Sequence, residues 1–202
     1  MAKYVYFDTE TTGFKPGQIG QISAIISEDN NISTINYFFE VDYVNPDVTA
    51  TLGRDVAYYK NKSNGLKFAD KANEIRDIFN NAIFVAHNLK FDENFLSVEL
   101  WRCGLTAKKE NQLDTMEHYK PIIGAVNSYG RLKNPKLVEV VKGLGLNEEK
   151  IRDYAKMLFK DSENEIDYHD SRYDTTVVFV ITNIARELQD PNSEKTWLNH
   201  FK

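Results

Sequence analysis

The chain has 202 residues, 42% of them hydrophobic and 27% charged. That composition excludes disordered, collagen-like and fibrous classes, and the length suffices for a core that needs neither disulfides nor a structural metal. The net charge of −5 excludes a protein that coats nucleic acid through general positive charge, but not one whose acids hold divalent cations. A single cysteine, Cys103, fits a reducing compartment. No apolar run approaches the ~20 residues of a membrane helix, and the start MAKYVYFD lacks the pattern of a secretory leader. The expectation is a cytoplasmic protein without membrane association.

Tyr4–Phe7 is an aromatic and β-branched run that reads as a buried strand. Gly13, Pro16 and Gly17 mark a turn. Ile19–Ser27 and Ile32–Val41 read as two further strands, separated by a turn at Glu28–Asn31, and the three form an antiparallel meander. Asn45–Gly65 is polar and irregular and reads mostly as loop. Phe68, Ala72, Ile75 and Phe79 recur at helical spacing and predict a helix over Phe68–Phe79. A buried strand at Ala82–Ala86 and a helix at Phe91–Arg102 follow, then a short strand at Gln112–Met116. Pro135–Gly143 reads as a helix opened by proline and closed by glycine. Glu148–Phe159 and Ser171–Leu188 are the last predicted helices. Strands first, then helix and strand in alternation, give an α/β fold with a central mixed β-sheet flanked by helices, as one domain over residues 1–202.

Three segments carry acids at positions where chemistry is done. In FDTETTGF, Asp8 and Glu10 leave the end of a strand at spacing i, i+2, so both project from one face. Two carboxylates on one face repel unless a cation lies between them, and oxygen ligands suit hard ions such as Mg²⁺ or Mn²⁺. In AHNLKFDENFL, Phe91, Phe95 and Val98 form the inner stripe of a helix, with Asp92 in its first turn and Asn88 able to cap it. In YHDSRYD, Asp174 extends the stripe Val177, Ile181, Ile184, Leu188. A core-facing acid there needs a partner. His169 stands just before that helix, with an unperturbed pKa of ~6.5 that suits a general base. Taken singly, each segment also has a plain structural reading: a polar turn, a helix-dipole complement, a surface histidine. Asp167 and Asp170 flank His169 and could raise its pKa.

Taken together, the order D-x-E, then D in N-x-x-F-D, then H-x₄-D resembles the DnaQ-like 3′–5′ exonucleases of the DEDDh type. That superfamily contains the proofreading (epsilon) subunit of bacterial DNA polymerase III. The resemblance implies a ribonuclease-H-like fold. It implies that Asp8, Glu10, Asp92 and Asp174 hold two divalent metal ions, Mg²⁺ or Mn²⁺, and that His169 is the general base. It further implies that Thr11 and Phe91 contact the terminal nucleotide. The expected reaction is two-metal hydrolysis at the 3′ end of single-stranded nucleic acid, DNA favoured over RNA, releasing nucleoside 5′-monophosphates. A DNA polymerase or replisome partner is a further expectation, though Lys202 follows the last predicted helix without a tethering tail. Asn45–Gly65 departs from the family pattern. Lys108, Lys109, Arg131, Lys133 and Lys136 read as solvated loop charge or as phosphate contacts. Tyr58 and Tyr59 read either as a base-stacking pair or as a core edge.

Overall fold

The computed structural model describes residues 2–29, 31–161 and 166–202. One five-stranded mixed sheet has the order β3-β2-β1-β4-β5, with strands Tyr4–Thr11 (β1), Ile19–Glu28 (β2), Asn31–Phe38 (β3), Ala82–Ala86 (β4) and Lys109–Asp114 (β5). β1, β2 and β3 form the antiparallel meander, whereas β4 and β5 run parallel to β1. The turn assigned to Glu28–Asn31 includes Asn30, which lies outside the described residues. This is the ribonuclease-H-like α/β arrangement expected from the sequence.

Strand alternation divides the core in two. Val5 and Phe7 of β1 point to one face, where helices Phe68–Phe79 (α3) and Leu89–Arg102 (α4) cover them. The Phe7, Phe79 and Phe84 rings meet edge-to-face there, with centroids 4.9–5.7 Å apart. Tyr6 points to the other face, against Val178 and Phe179 of helix Ser171–Gln189 (α8). The far side of α8 packs on Leu137–Gly143 (α6) and Glu148–Phe159 (α7), on Thr115–Ile123 (α5), and on Thr196–Phe201 (α9). α8 is therefore covered almost all round, not only along the predicted stripe, and Leu188 at its end is exposed. Among the described residues, no helix is long and apolar enough to cross a membrane.

Five elements differ from the sequence reading. Asn45–Gly65 is not loop: it holds helices Pro46–Leu52 (α1) and Val56–Ser63 (α2). Both are too short to show a periodic apolar face and are fixed by end signals instead. Asn45 Oδ1 accepts from Asp47 N–H (2.8 Å) and Asp55 Oδ1 from Tyr58 N–H (2.7 Å). The strand read at Gln112–Met116 lies earlier, because Asp114 accepts from Met116 N–H (2.9 Å) and starts α5. α4 begins two residues before Phe91, at Leu89. Asn88 does not cap it: Asn88 is left-handed (φ 67°), and its own N–H and that of Leu89 are both accepted by the Asp114 carboxylate (3.0 and 2.9 Å). β3 ends at Phe38 rather than Val41, and α6 begins at Leu137 rather than Pro135.

Near the end of β1 the register slips, with Glu10 opposite Gln21 and Thr11 opposite Ile19, so Gly20 is skipped. A Cβ on Gly20 would overlap the Tyr59 ring. Tyr59 is fully buried with Val41, Val44 and Val48, so it closes a core edge and is not a base platform. Gly20→Ala is expected to destabilise the fold by about 1–3 kcal/mol and to displace α2. A melting midpoint unchanged from the parent would contradict this packing.

Candidate active site

β1 outruns β4. Their pairing ends at Tyr6 opposite Val85, which leaves the last residues of β1 with open backbone on that side. Asp92, in the first turn of α4 and only 3% exposed, fills the gap. Its Oδ1 accepts from Thr9 N–H (2.9 Å) and Thr9 Oγ1 (2.7 Å). On the α8 face of β1 lie Asp8 and Glu10. The start of α8 is fastened there by Ser171 Oγ, which donates to the Asp8 carbonyl (2.6 Å), and by Thr175 Oγ1, which donates to the Ser23 carbonyl (3.2 Å). That docking carries Asp174 to the strand tip. Among the described residues, one carboxylate oxygen from each of Asp8, Glu10 and Asp174 lies within 4.8 Å of the others. Asp92 is outside that triangle, held by Thr9, yet its charge is felt by all three.

The electrostatics are those of a cluster short of positive charge. Burial, then Asp92, Asp174 and Glu10, push Asp8 well above the usual carboxylate range. Burial likewise raises Glu10, partly offset by Arg54. Burial pushes Asp92 and Asp174 up to about 7, opposed by hydrogen bonds from Thr9 and from the His169 backbone respectively. Asp174 Oδ2 accepts from His169 N–H (3.2 Å), while Oδ1 is buried without a hydrogen-bond partner. An orphaned acceptor among three converging carboxylates suits a hard divalent cation bound through oxygen.

His169 sits in a left-handed turn (φ 66°) with its side chain exposed beside this cluster. Its pKa is lowered, by partial burial and then by Arg54 and Lys136. The flanking acids do not raise it, because both are engaged elsewhere. Asp170 is buried against Arg172 (2.6 and 2.8 Å) and Gln21 (3.1 Å), and Asp167 pairs with Arg152 (3.1 Å). Thr11 is buried at the register slip, with its hydroxyl donating to the Gly13 carbonyl (2.9 Å). Phe91 is half-buried beside Phe95, with ring centroids 5.0 Å apart. Sequence reasoning missed Arg54, between α1 and α2. Its Nη1 lies 3.2 Å from Glu10 Oε2, and its guanidinium sits over the Tyr58 ring. Only the cap pair Gly53 and Asp55 marks that position in the sequence.

The raised carboxylates set a sign for stability. A folded-state pKa above the unfolded value stabilises fully at low pH, and that contribution is lost as pH rises through the folded value. For Asp92 and Asp174 the loss runs from about pH 4 to beyond about 7. In chelator, the protein is expected to lose melting temperature across that window. Mn²⁺ should restore several degrees near pH 8 and little near pH 5. An equal effect of Mn²⁺ at both pH values would contradict the cluster as a cation site.

The sequence profile of the RNase T exonuclease family matches residues 5–182. The chain belongs to the RNase T exonuclease family. The acids Asp8, Glu10, Asp92 and Asp174 and His169 all lie within the matched residues. A DNA polymerase III of PolC type from Clostridium perfringens is 30% identical over 181 residues, covering 83% of this chain and 12% of that protein. A 3′–5′ exonuclease DinG from Bacillus subtilis is 29% identical over 153 residues, covering 73% of this chain and 15% of that protein. The chain thus spans a small fraction of the curated relatives it matches. In structure, Escherichia coli Exonuclease I, solved with a dT13 oligonucleotide, superposes with a TM-score of 0.72 at 15% identity, over 94% of this chain and 42% of that one. At that identity the likeness is one of fold.

Proposed function

We propose that residues 1–202 act as one exonuclease domain that hydrolyses single-stranded DNA from its 3′ end and releases nucleoside 5′-monophosphates. The observation that carries this reading is the convergence of Asp8, Glu10 and Asp174 on one point at the tip of β1, with the orphaned Asp174 oxygen and His169 beside it. In this reading Asp8, Glu10, Asp174 and Asp92 hold two divalent ions. Bound there, such ions supply charge stabilisation to a phosphodiester and acidify water. His169 accepts the proton of the attacking water on an imidazole nitrogen, and its lowered pKa keeps that nitrogen free at neutral pH. Asp92 also steadies β1 through Thr9. Thr11 follows Glu10 and Phe91 precedes Asp92 in the sequence, and in this reading both contact the terminal nucleotide. The likeness to a DNA polymerase III of PolC type and to a 3′–5′ exonuclease supports DNA over RNA and a polymerase as partner.

The test uses 3′-labelled and 5′-labelled single-stranded oligomers, as DNA and as RNA, with Mg²⁺, Mn²⁺ or chelator. The expected result is stepwise shortening from the 3′ end that needs metal and is faster on DNA. Folded protein that releases no mononucleotide under any metal would overturn the reading. Faster digestion of RNA would move the substrate class.

A further inference from the structure

Between Glu117 and Glu139 the sequence has no acid, yet it carries Lys120, Arg131, Lys133 and Lys136, in a chain of net charge −5. Within that stretch residues 125–133 fold back on themselves. Val126 bridges Leu132. Lys133 N–H donates to the Ala125 carbonyl (2.8 Å), and Asn127 N–H to the Arg131 carbonyl (2.9 Å). Asn127 Oδ1 accepts from Tyr129 N–H (2.9 Å) and Arg131 N–H (3.1 Å), and Gly130 takes the left-handed position (φ 72°). The tip is thus fixed by its own hydrogen bonds. It is not fixed by packing: Tyr129 is 86% exposed, and Val126 and Leu132 are 55% exposed. A rigid turn that holds an aromatic ring and two aliphatic side chains in solvent adds nothing to the core.

The base of this hairpin stands at the site. His87 Nε2 donates to the Pro135 carbonyl (2.9 Å), and His87 immediately precedes Asn88 and the helix that bears Asp92. Lys133 is committed to Glu139 (2.6 Å), but among the described residues Arg131 and Lys136 pair with no acid. An exposed ring on the same hairpin as Arg131, with Lys136 just past the hairpin's base, matches the two needs of single-strand binding, which are a stacking platform and a positive track for the backbone.

We propose that the hairpin of residues 125–133 binds the single strand on the 5′ side of the terminus held at the acidic cluster, with Tyr129 stacking on a base and Arg131 and Lys136 contacting phosphates. The proposal rests on the exonuclease reading above, and its test separates the two. Binding of a 5′-labelled oligothymidylate of about twenty nucleotides, and of a trinucleotide, is measured by anisotropy in Ca²⁺ for the parent, Tyr129→Ala, Tyr129→Phe and Arg131→Ala. The long oligomer should bind Tyr129→Ala about 10-fold more weakly, with Tyr129→Phe near the parent. Arg131→Ala should lower the salt slope by about one. The trinucleotide should lose about 2-fold or less in each variant. Long-oligomer affinity and salt slope equal to the parent would overturn the hairpin alone and assign its surface to a protein partner. Equal losses for long and short oligomers would also overturn it, because they place the defect at the cluster. A parent that binds the long oligomer but cleaves nothing leaves the hairpin standing and removes the exonuclease reading. A parent that binds no oligomer removes both.

Discussion

Asp174→Asn is expected to lower kcat/KM by ~10³-fold or more, and at the same time to make the metal-free protein more stable. The two effects come from one geometry. Asp174 supplies one of three carboxylate oxygens that lie within 4.8 Å of each other. In the proposed reaction its charge holds a cation whose stabilisation of the reacting phosphate is worth several kcal/mol, and about 4 kcal/mol corresponds to ~10³ in rate. An asparagine keeps the shape and keeps an acceptor for His169 N–H. It places an N–H₂ where the orphaned Oδ1 now faces other acids, so that a donor replaces a repelling charge. With Asp174 pushed up to about 7, removing its charge should raise the metal-free melting midpoint near pH 8 by several degrees and near pH 5 by little. Mn²⁺ should then raise the melting midpoint less than it does in the parent. A variant that is both inactive and less stable than the parent would show that Asp174 is a structural acid.

The parts of this site that the sequence made legible are the ones encoded locally. Asp8 and Glu10 share a face because strands have period two, and Asp174 could be placed because α8 carries an apolar stripe. What was hidden depends on contacts across the chain. Asp92 owes its position to Thr9, 83 residues away, and α4 owes its cap to Asp114 rather than to Asn88. α1 and α2 escaped a reading weighted toward apolar periodicity, although Asn45-Pro46-Asp47 and Gly53 are end signals visible in the sequence. With those helices went Arg54, the cation nearest Glu10. α5 was masked by Pro121 inside it, which removes a backbone donor and argues against a helix on sight. α8 was read as amphipathic because one stripe is conspicuous. Val178 and Phe179, on its other side, are what press it onto the sheet and bring Asp174 to Asp8.

His169→Asn is expected to reduce kcat by ~10²–10⁴-fold while leaving the Mn²⁺-dependent stabilisation intact. Asparagine is the informative substitution because residue 169 has φ 66°, a conformation that asparagine tolerates better than alanine. His169→Ala should therefore lose about 1 kcal/mol of stability as well, from the left-handed backbone. Neither change removes the backbone N–H that Asp174 accepts, so the acids keep their arrangement. The pH dependence identifies the role. Burial, Arg54 and Lys136 hold the imidazole pKa below its ordinary 6.5. At saturating Mn²⁺ the parent's kcat should fall only as pH drops below ~6.5, where a protonated ring can no longer accept a proton. In His169→Asn that acid limb should vanish. In Lys136→Ala, with one cation fewer beside the ring, it should move to higher pH. An acid limb that persists unchanged in His169→Asn would assign the titration to the carboxylates and leave His169 without a role as base.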